Sequence, residues 1–388
     1  MPKKILFIHH EKKPKYGAHY INDLIVDKLR KAGYSVDTVY PQESIELFSK
    51  ALAGIRSILF FYSLTSHKKK AHKYDIVQGT TYTTLPFLNN GTPVVSHFGS
   101  TTFGFLKNVP SAKTLEKEKK ELAGIFSGLK KCLAISEREY SIRALQDISK
   151  MEIYVAKKSD AVIATSQKVL AELTRNGVPR SKIHVIHNAI EDYWFKARHS
   201  KKVKKVAELV YLGRMGNDVF TIKLKGINRL VFIFKKFPEL KKKVIGMCQN
   251  FKGYLSVFSP IPNTKAFLSM EKKKIPNLLG NNYGDLYINP GRYEGFCLSL
   301  VEAMSQGLIP ITFPVGIAPE IIKNGKNGYL VNSIDEMAGK IGQLKSNPKK
   351  RAAMAKNAMQ TSNQFTADAL ITQLTGLYRQ IKIKQAHS

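Results

Sequence analysis

Lys4–Ile8 is an unbroken apolar run after a basic start, the pattern of a strand buried on both faces of a parallel sheet. From Gly17 the period changes: Ile21, Leu24, Ile25 and Leu29 recur at helical spacing to about Ala32, where Gly33 supplies a stop. Ser35–Val39 returns to a strand pattern, and further strands are expected at Ile76–Gln78, Pro93–His97 and Ala161–Ala164. The stretch Glu152–Ile190 reads as helix, strand DAVIAT, Ser166 as N-cap, helix QKVLAELTRNG and strand KIHVIH. Strands that alternate with helices predict an α/β unit with a mostly parallel sheet.

Residues 191–205, which include RHSKKVKK, are highly charged and lack apolar periodicity, as an exposed linker would. A second series follows, with strands expected at Glu208–Leu212, Val244–Met247, Leu255–Phe258, Leu286–Asn289 and Ile309–Phe313. Helices are expected at Gly226–Phe237 and Phe296–Gln306, and the remainder reads as helical. A chain of 388 residues exceeds one ordinary core. The expected division is therefore 1–190, a linker at 191–205, a second domain at 206–365, and a C-terminal helix at 366–388 packing back on the first domain. Two open α/β domains whose sheets face across a cleft bind ligands at the carboxyl edges of their strands.

The chain is strongly basic. There are 62 Lys and Arg against 29 Asp and Glu, a formal net charge of +33. Residues 1–199 hold 32 basic and 18 acidic side chains, and residues 200–388 hold 30 and 11, so the excess is not a detachable tail. Such a field attracts nucleic acid, anionic lipid or phosphorylated substrates. The apolar fraction of 43% excludes wholesale disorder. The longest apolar runs fall far short of the roughly 20 residues that a membrane span needs. Three scattered cysteines without metal-ligand spacing point to reduced thiols in a cytoplasmic setting.

Residues 287–331 hold the densest chemistry. A strand ends at Asn289, a loop with Gly291 and Gly295 follows, and a helix is expected from near Phe296. Glycines permit close backbone approach, and a helix N-terminus offers unpaired N–H groups to a phosphate. Glu294 and Glu302 flank seven residues, placing Glu294 at the helix mouth and Glu302 two turns in. Ionised carboxylates suit ligands rich in hydroxyls. Glu294 is also placed to cap the helix, a favourable position for any carboxylate.

The order EGFCLSLVEAMSQG, PITFPVGIAPE and NGKNGYLV resembles the nucleotide-sugar-binding domain of family 4 retaining glycosyltransferases (glycosyl transferases group 1) of GT-B fold. KKSDAVIATSQ…KIHVIHNAI and YLGRM…KLKGINRL fit the same family in order, so the resemblance runs over about residues 3–375. It implies two Rossmann-like domains, retention of anomeric configuration, a nucleotide sugar as donor substrate, and no cofactor or metal. Residue by residue it implies that Arg214 and Lys225 neutralise the donor pyrophosphate. Glu302 would hold the ribose hydroxyls and Glu294 a hydroxyl of the transferred sugar. Gly295, Phe296, Cys297 and Leu298 would cradle phosphate and sugar. Gly17 would let the first loop pass close to the donor, and His97 would contact the sugar near the acceptor. Three departures stand out. The gap between Arg214 and Lys225 is long, so Lys223 competes for the phosphate role. Ala18 follows Gly17 where a second glycine is common, and Gly291 replaces a frequent serine. His9, His10, His184 and His187, in or beside strands, are expected to pack in the core or at its edge.

The family's acceptors are often lipid-linked, so a lipid-linked or glycan acceptor at the cytoplasmic face of an anionic membrane is expected. HKKKAHK (67–73) and the basic amphipathic stretch at 113–133 suit such a surface, and the latter equally suits an ordinary surface helix. A non-catalytic nucleic-acid-binding protein is the alternative that charge suggests. Against it, aromatics do not interleave with the basic runs, and no nucleic-acid-reading module is recognisable.

Overall fold

The computed structural model describes residues 3–10, 17–41, 60–108, 142–197, 200–216 and 219–386. The chain divides into two compact units: residues 1–107, 139–189 and 365–388 form unit 1, and residues 108–138 and 190–364 form unit 2. The stretch at 113–133 lies outside the described residues.

Unit 1 holds a six-stranded sheet in the order β2-β1-β3-β4-β5-β6, every pairing parallel. The strands are β1 (Lys4–Ile8), β2 (Ser35–Val39), β3 (Ile76–Thr80), β4 (Val94–Phe98), β5 (Ala161–Ala164) and β6 (Ile183–Val185). Its helices include α1 (Gly17–Lys31), α2 (Thr102–Lys107), α3 (Ile142–Lys158) and α4 (Gln167–Arg175). Gly33 sits at φ +86°, the left-handed stop expected after α1. Ser166 caps α4, its hydroxyl accepting from Val169 N at 3.2 Å.

Unit 2 repeats the plan, in the order β12-β11-β10-β7-β8-β9, again parallel throughout. Its strands are β7 (Leu209–Arg214), β8 (Lys242–Met247), β9 (Thr264–Leu268), β10 (Leu286–Asn289), β11 (Ile309–Thr312) and β12 (Tyr329–Leu330). Helices α5 (Val219–Leu224), α6 (Ile227–Lys236), α7 (Phe251–Phe258), α8 (Leu298–Ser305), α9 (Ile334–Leu344) and α10 (Pro348–Ser362) connect them. The last helix, α11 (Ala367–Ala386), belongs to unit 1, where the Tyr378 hydroxyl donates to Gln78 Oε1 and Lys28 pairs with Asp368 at 2.8 Å.

Three expectations need correction. Leu255–Phe258 is the end of helix α7, not a strand: Asn250 caps it by accepting from Gly253 N at 2.9 Å, and Tyr254, Val257 and Phe258 bury one helical face. The strand of that region is β9, a few residues later. Helix α8 begins at Leu298, since Cys297 is in the left-handed region at φ +79° and cannot continue a right-handed turn. Glu302 thus lies one turn into the helix, not two. Residues 191–205 are also not uniformly exposed: Ser200–Lys202 are, whereas Trp194 is fully buried.

Strand order places the chemistry. In unit 2 the order reverses between β7 and β10, and the crevice outside their carboxyl ends lies between the loops after Arg214 and after Asn289. These are the two loops that carry the expected site residues.

Candidate active site

The loop after α5 and the loop after β10 are locked face to face. Arg292 N donates to Leu224 O at 2.8 Å, and the Arg292 guanidinium donates to Lys223 O. Gly226, at φ +66°, sits so close to Pro290 that a Cβ would collide with the Pro290 carbonyl oxygen. Gly316, at φ +55°, presses equally closely on the Phe296 carbonyl, which accepts from Ile317 N at 2.8 Å.

This frame brings Lys225 and Glu294 together: Lys225 Nζ stands 2.5 Å from Glu294 Oε1, both side chains about one fifth exposed. Arg214 ends β7 exposed, and its carbonyl accepts from the Tyr211 hydroxyl at 3.1 Å. The buried Tyr211 phenol is pushed well above its usual range by burial, then by Glu294, with Arg214 opposing. Lys223, the competing lysine, is buried, so the residue that reaches Glu294 is Lys225.

Beside this pair, Gly295, Phe296 and Cys297 are buried and form the turn into α8. Leu298 N and Ser299 N belong to the first turn of the helix, where amides have no partner within the helix. Cys297 Sγ accepts from Asn289 Nδ2 at 3.4 Å. Burial, then Glu294, push the thiol up to about 12, which keeps it protonated.

Glu302 stands in a second polar group. Lys272 Nζ lies 2.9 Å from Glu302 Oε1, and 2.7 and 2.9 Å from the two carboxylate oxygens of Glu191. Burial raises the Glu302 pKa, opposed by Lys272, while the Glu191 charge raises it further. Tyr193 faces both carboxylates, and its phenol is pushed well up by burial and then by Glu191. Neither Lys272 nor Glu191 was among the residues singled out from the sequence.

In unit 1, His97 is buried in β4, paired in register with Thr80 and Ile163. Burial pushes it down to about 4, against the neighbouring Asn188 amide, which favours the charged form. Neither ring nitrogen meets a partner in hydrogen-bond geometry. The same holds for Thr80 Oγ1 and Asn188 Oδ1, an unusual concentration of unsatisfied buried polar atoms. Gly17 opens α1 in this unit. His9 is buried and stacks on Tyr40 at 4.5 Å between ring centroids, as a packed core histidine would.

Two family descriptions match almost end to end: Glycosyltransferase Family 4 over residues 17–192, and Glycosyl transferases group 1 over residues 192–361. The chain belongs to this glycosyltransferase family. A Klebsiella pneumoniae relative, an uncharacterized 41.2 kDa protein in the cps region, is 26% identical over 59% of this chain and 64% of its own length. The chain thus spans under two thirds of the length of the curated relatives it matches first. Among solved structures, sucrose-phosphate synthase from Thermosynechococcus elongatus superposes with a TM-score of 0.71 at 17% identity, over 98% of this chain and 100% of that one. Anabaena HepE, solved with UDP and glucose, gives 0.67 at 16% identity, over 97% and 100%. These likenesses establish the GT-B fold. Among the described residues, no group of three or more His, Cys, Asp or Glu is arranged to hold a metal ion. None of their helices is long and apolar enough to cross a membrane.

Proposed function

We propose that this chain transfers a sugar, with retention of anomeric configuration and without a metal ion, from a UDP- or GDP-sugar to an acceptor. The observation that carries this reading is the Lys225–Glu294 pair, held beside the first turn of α8 at the switch point of the unit 2 sheet. The roles follow from chemistry. As the bond between the sugar C1 and the diphosphate oxygen breaks, the diphosphate leaves with the electron pair. The acceptor hydroxyl oxygen bonds to C1 on the face the diphosphate leaves, and the hydroxyl proton passes to that oxygen of the departing diphosphate. Lys225 and Arg214 offset its growing charge, and amides at the start of α8 donate to its oxygens. Glu294 accepts from a sugar hydroxyl and Glu302 from the ribose. In unit 1, His97 is assigned to a contact with the sugar near the acceptor, and Gly17 to close passage of the first loop by the donor. Binding of UDP and UDP-glucose by HepE supports a uridine donor.

The acceptor we favour is lipid-linked or a surface glycan at the cytoplasmic face of a membrane. Support comes from the +33 charge and from an exposed basic turn, Lys68–Lys73, near Tyr62, which is 73% exposed.

Release of free nucleotide from a panel of UDP- and GDP-sugars, with acceptor extracts added, tests the reading. Product formed with the donor's anomeric configuration, and lost in Glu294→Ala, supports it. Inverted product would overturn the stereochemical assignment. Oligonucleotide binding with no turnover of any sugar nucleotide would overturn the transferase reading itself.

A further inference from the structure

In the Glu191–Lys272–Glu302 triad only Glu302 has a role above; Glu191 and Lys272 have none. Lys272 opens the turn Lys272–Lys274 after β9, and its side chain is 11% exposed, whereas Lys273 and Lys274 are exposed. Its ammonium is gripped by both oxygens of Glu191 and by one oxygen of Glu302. The side chains of Glu191 and Glu302 are 13% and 7% exposed. Two carboxylates this close repel one another, and in such a buried place one of them takes up a proton unless a cation lies between them. Glu191 is fixed from behind: it precedes the single turn Tyr193–Lys196, whose Trp194 is fully buried and accepts from Gln306 Nε2 at 2.6 Å. Gln306 follows directly on α8, so both carboxylates belong to one rigid assembly around the lysine.

We propose that Lys272 is the positioning residue of the donor site: it holds Glu302 ionised and fixes one of its oxygens. Glu302 then faces the nucleotide as a pure hydrogen-bond acceptor. The inference rests on the assignment of Glu302 to the ribose. An ionised carboxylate accepts from both hydroxyls of a ribose diol, whereas a protonated one must present its own O–H to one of them.

The charged or titratable groups that face Glu302 among the described residues are Lys272, Glu191 and Tyr193, and their effects differ in sign. Lys272 favours the ionised carboxylate and Glu191 opposes it. Since binding needs ionised Glu302, affinity falls as pH drops through its pKa. Lys272→Met moves that fall to higher pH, and Glu191→Gln moves it to lower pH.

The experiment is calorimetric titration of the full chain from about pH 6 to about pH 8. The probe is UDP-glucose or GDP-mannose, whichever the wild type binds, because their diphosphates do not titrate there. Lys272→Met is expected to weaken binding about 10- to 100-fold at the acid end and much less at the alkaline end. Glu191→Gln is expected to tighten binding at the acid end, and Lys272→Arg to restore the wild-type profile. If Lys272→Met does not fold, the opposite shift in Glu191→Gln and the rescue by arginine still decide. Unchanged affinity and an unchanged pH profile in the lysine and glutamate variants would overturn the inference. Glu302→Ala separates the two ideas. If it binds like wild type, the donor-site reading falls. If it loses affinity while the Lys272 variants keep theirs, only the role of Lys272 falls.

Discussion

Lys225 Nζ and Glu294 Oε1 approach to 2.5 Å from loops 69 residues apart, forming an ion pair at the unit 2 switch point. Each is the counter-charge of the other, yet they are assigned to different parts of one substrate. Lys225→Ala removes a charge-assisted contact to the diphosphate and is expected to weaken sugar-nucleotide binding roughly 10- to 100-fold. Glu294→Ala leaves the nucleotide contacts in place, so affinity for the free nucleoside diphosphate should change little while turnover falls by at least about 100-fold. Titration calorimetry beside initial rates checks the split.

Gly226 and Gly316 support the site through the backbone alone. A methyl group at either meets a carbonyl oxygen, of Pro290 or of Phe296, and both glycines have positive φ. Gly226→Ala and Gly316→Ala are each expected to cost on the order of 2 kcal/mol or more, from strain and collision together. Gly342→Ala, on an open helix surface with nothing within 4 Å, should be neutral or stabilising. Urea unfolding of the three variants measures the contrast.

Unit 1 contains a buried carboxylate whose protonation is tied to folding. Glu152 accepts from Thr102 N at 2.7 Å and from Thr102 Oγ1 at 3.0 Å, and burial pushes its pKa up to about 7, with the Glu172 charge adding to the rise. The folded state holds this proton more tightly than the unfolded chain. Its stabilising contribution is therefore complete below the unfolded pKa of about 4.3 and is lost as pH rises through 7. Glu152→Gln should flatten the decline of melting temperature between pH 5 and pH 7, as thermal denaturation across that range will show.

His97 behaves in the opposite sense. Burial holds it neutral down to about pH 4, so its proton uptake is deferred relative to the unfolded chain, and its contribution to stability is lost as pH falls from about 6.5 through 4. Its imidazole carbon-bound protons should show no titration step above pH 5 by NMR. A step near the ordinary histidine value would show that the ring is solvated.

Much of the fold was legible. β1, β5 and β10 lie where apolar runs put them, because strands buried on both faces leave few polar residues to blur the ends. Helix α7 was misread because YLSVF is apolar enough for a buried strand, and the deciding signal, the Asn250 cap, is a single side chain. Glu294 and Glu302 were legible from spacing within one motif. Lys272 was not: it stands in a run of three lysines, and only the packing of that turn buries the first and exposes the others. Glu191 was hidden for a related reason. Its segment reads as charged and exposed, although it holds the fully buried Trp194.

The donor-site assignment is tested most directly by titrating UDP-, GDP- and ADP-sugars against the wild-type chain and Glu302→Ala, with melting temperature as the readout. One nucleotide class is expected to raise the melting temperature of the wild type and to leave the variant unmoved. Equal stabilisation of both proteins, or of neither, would contradict the placement of the nucleotide at Glu302.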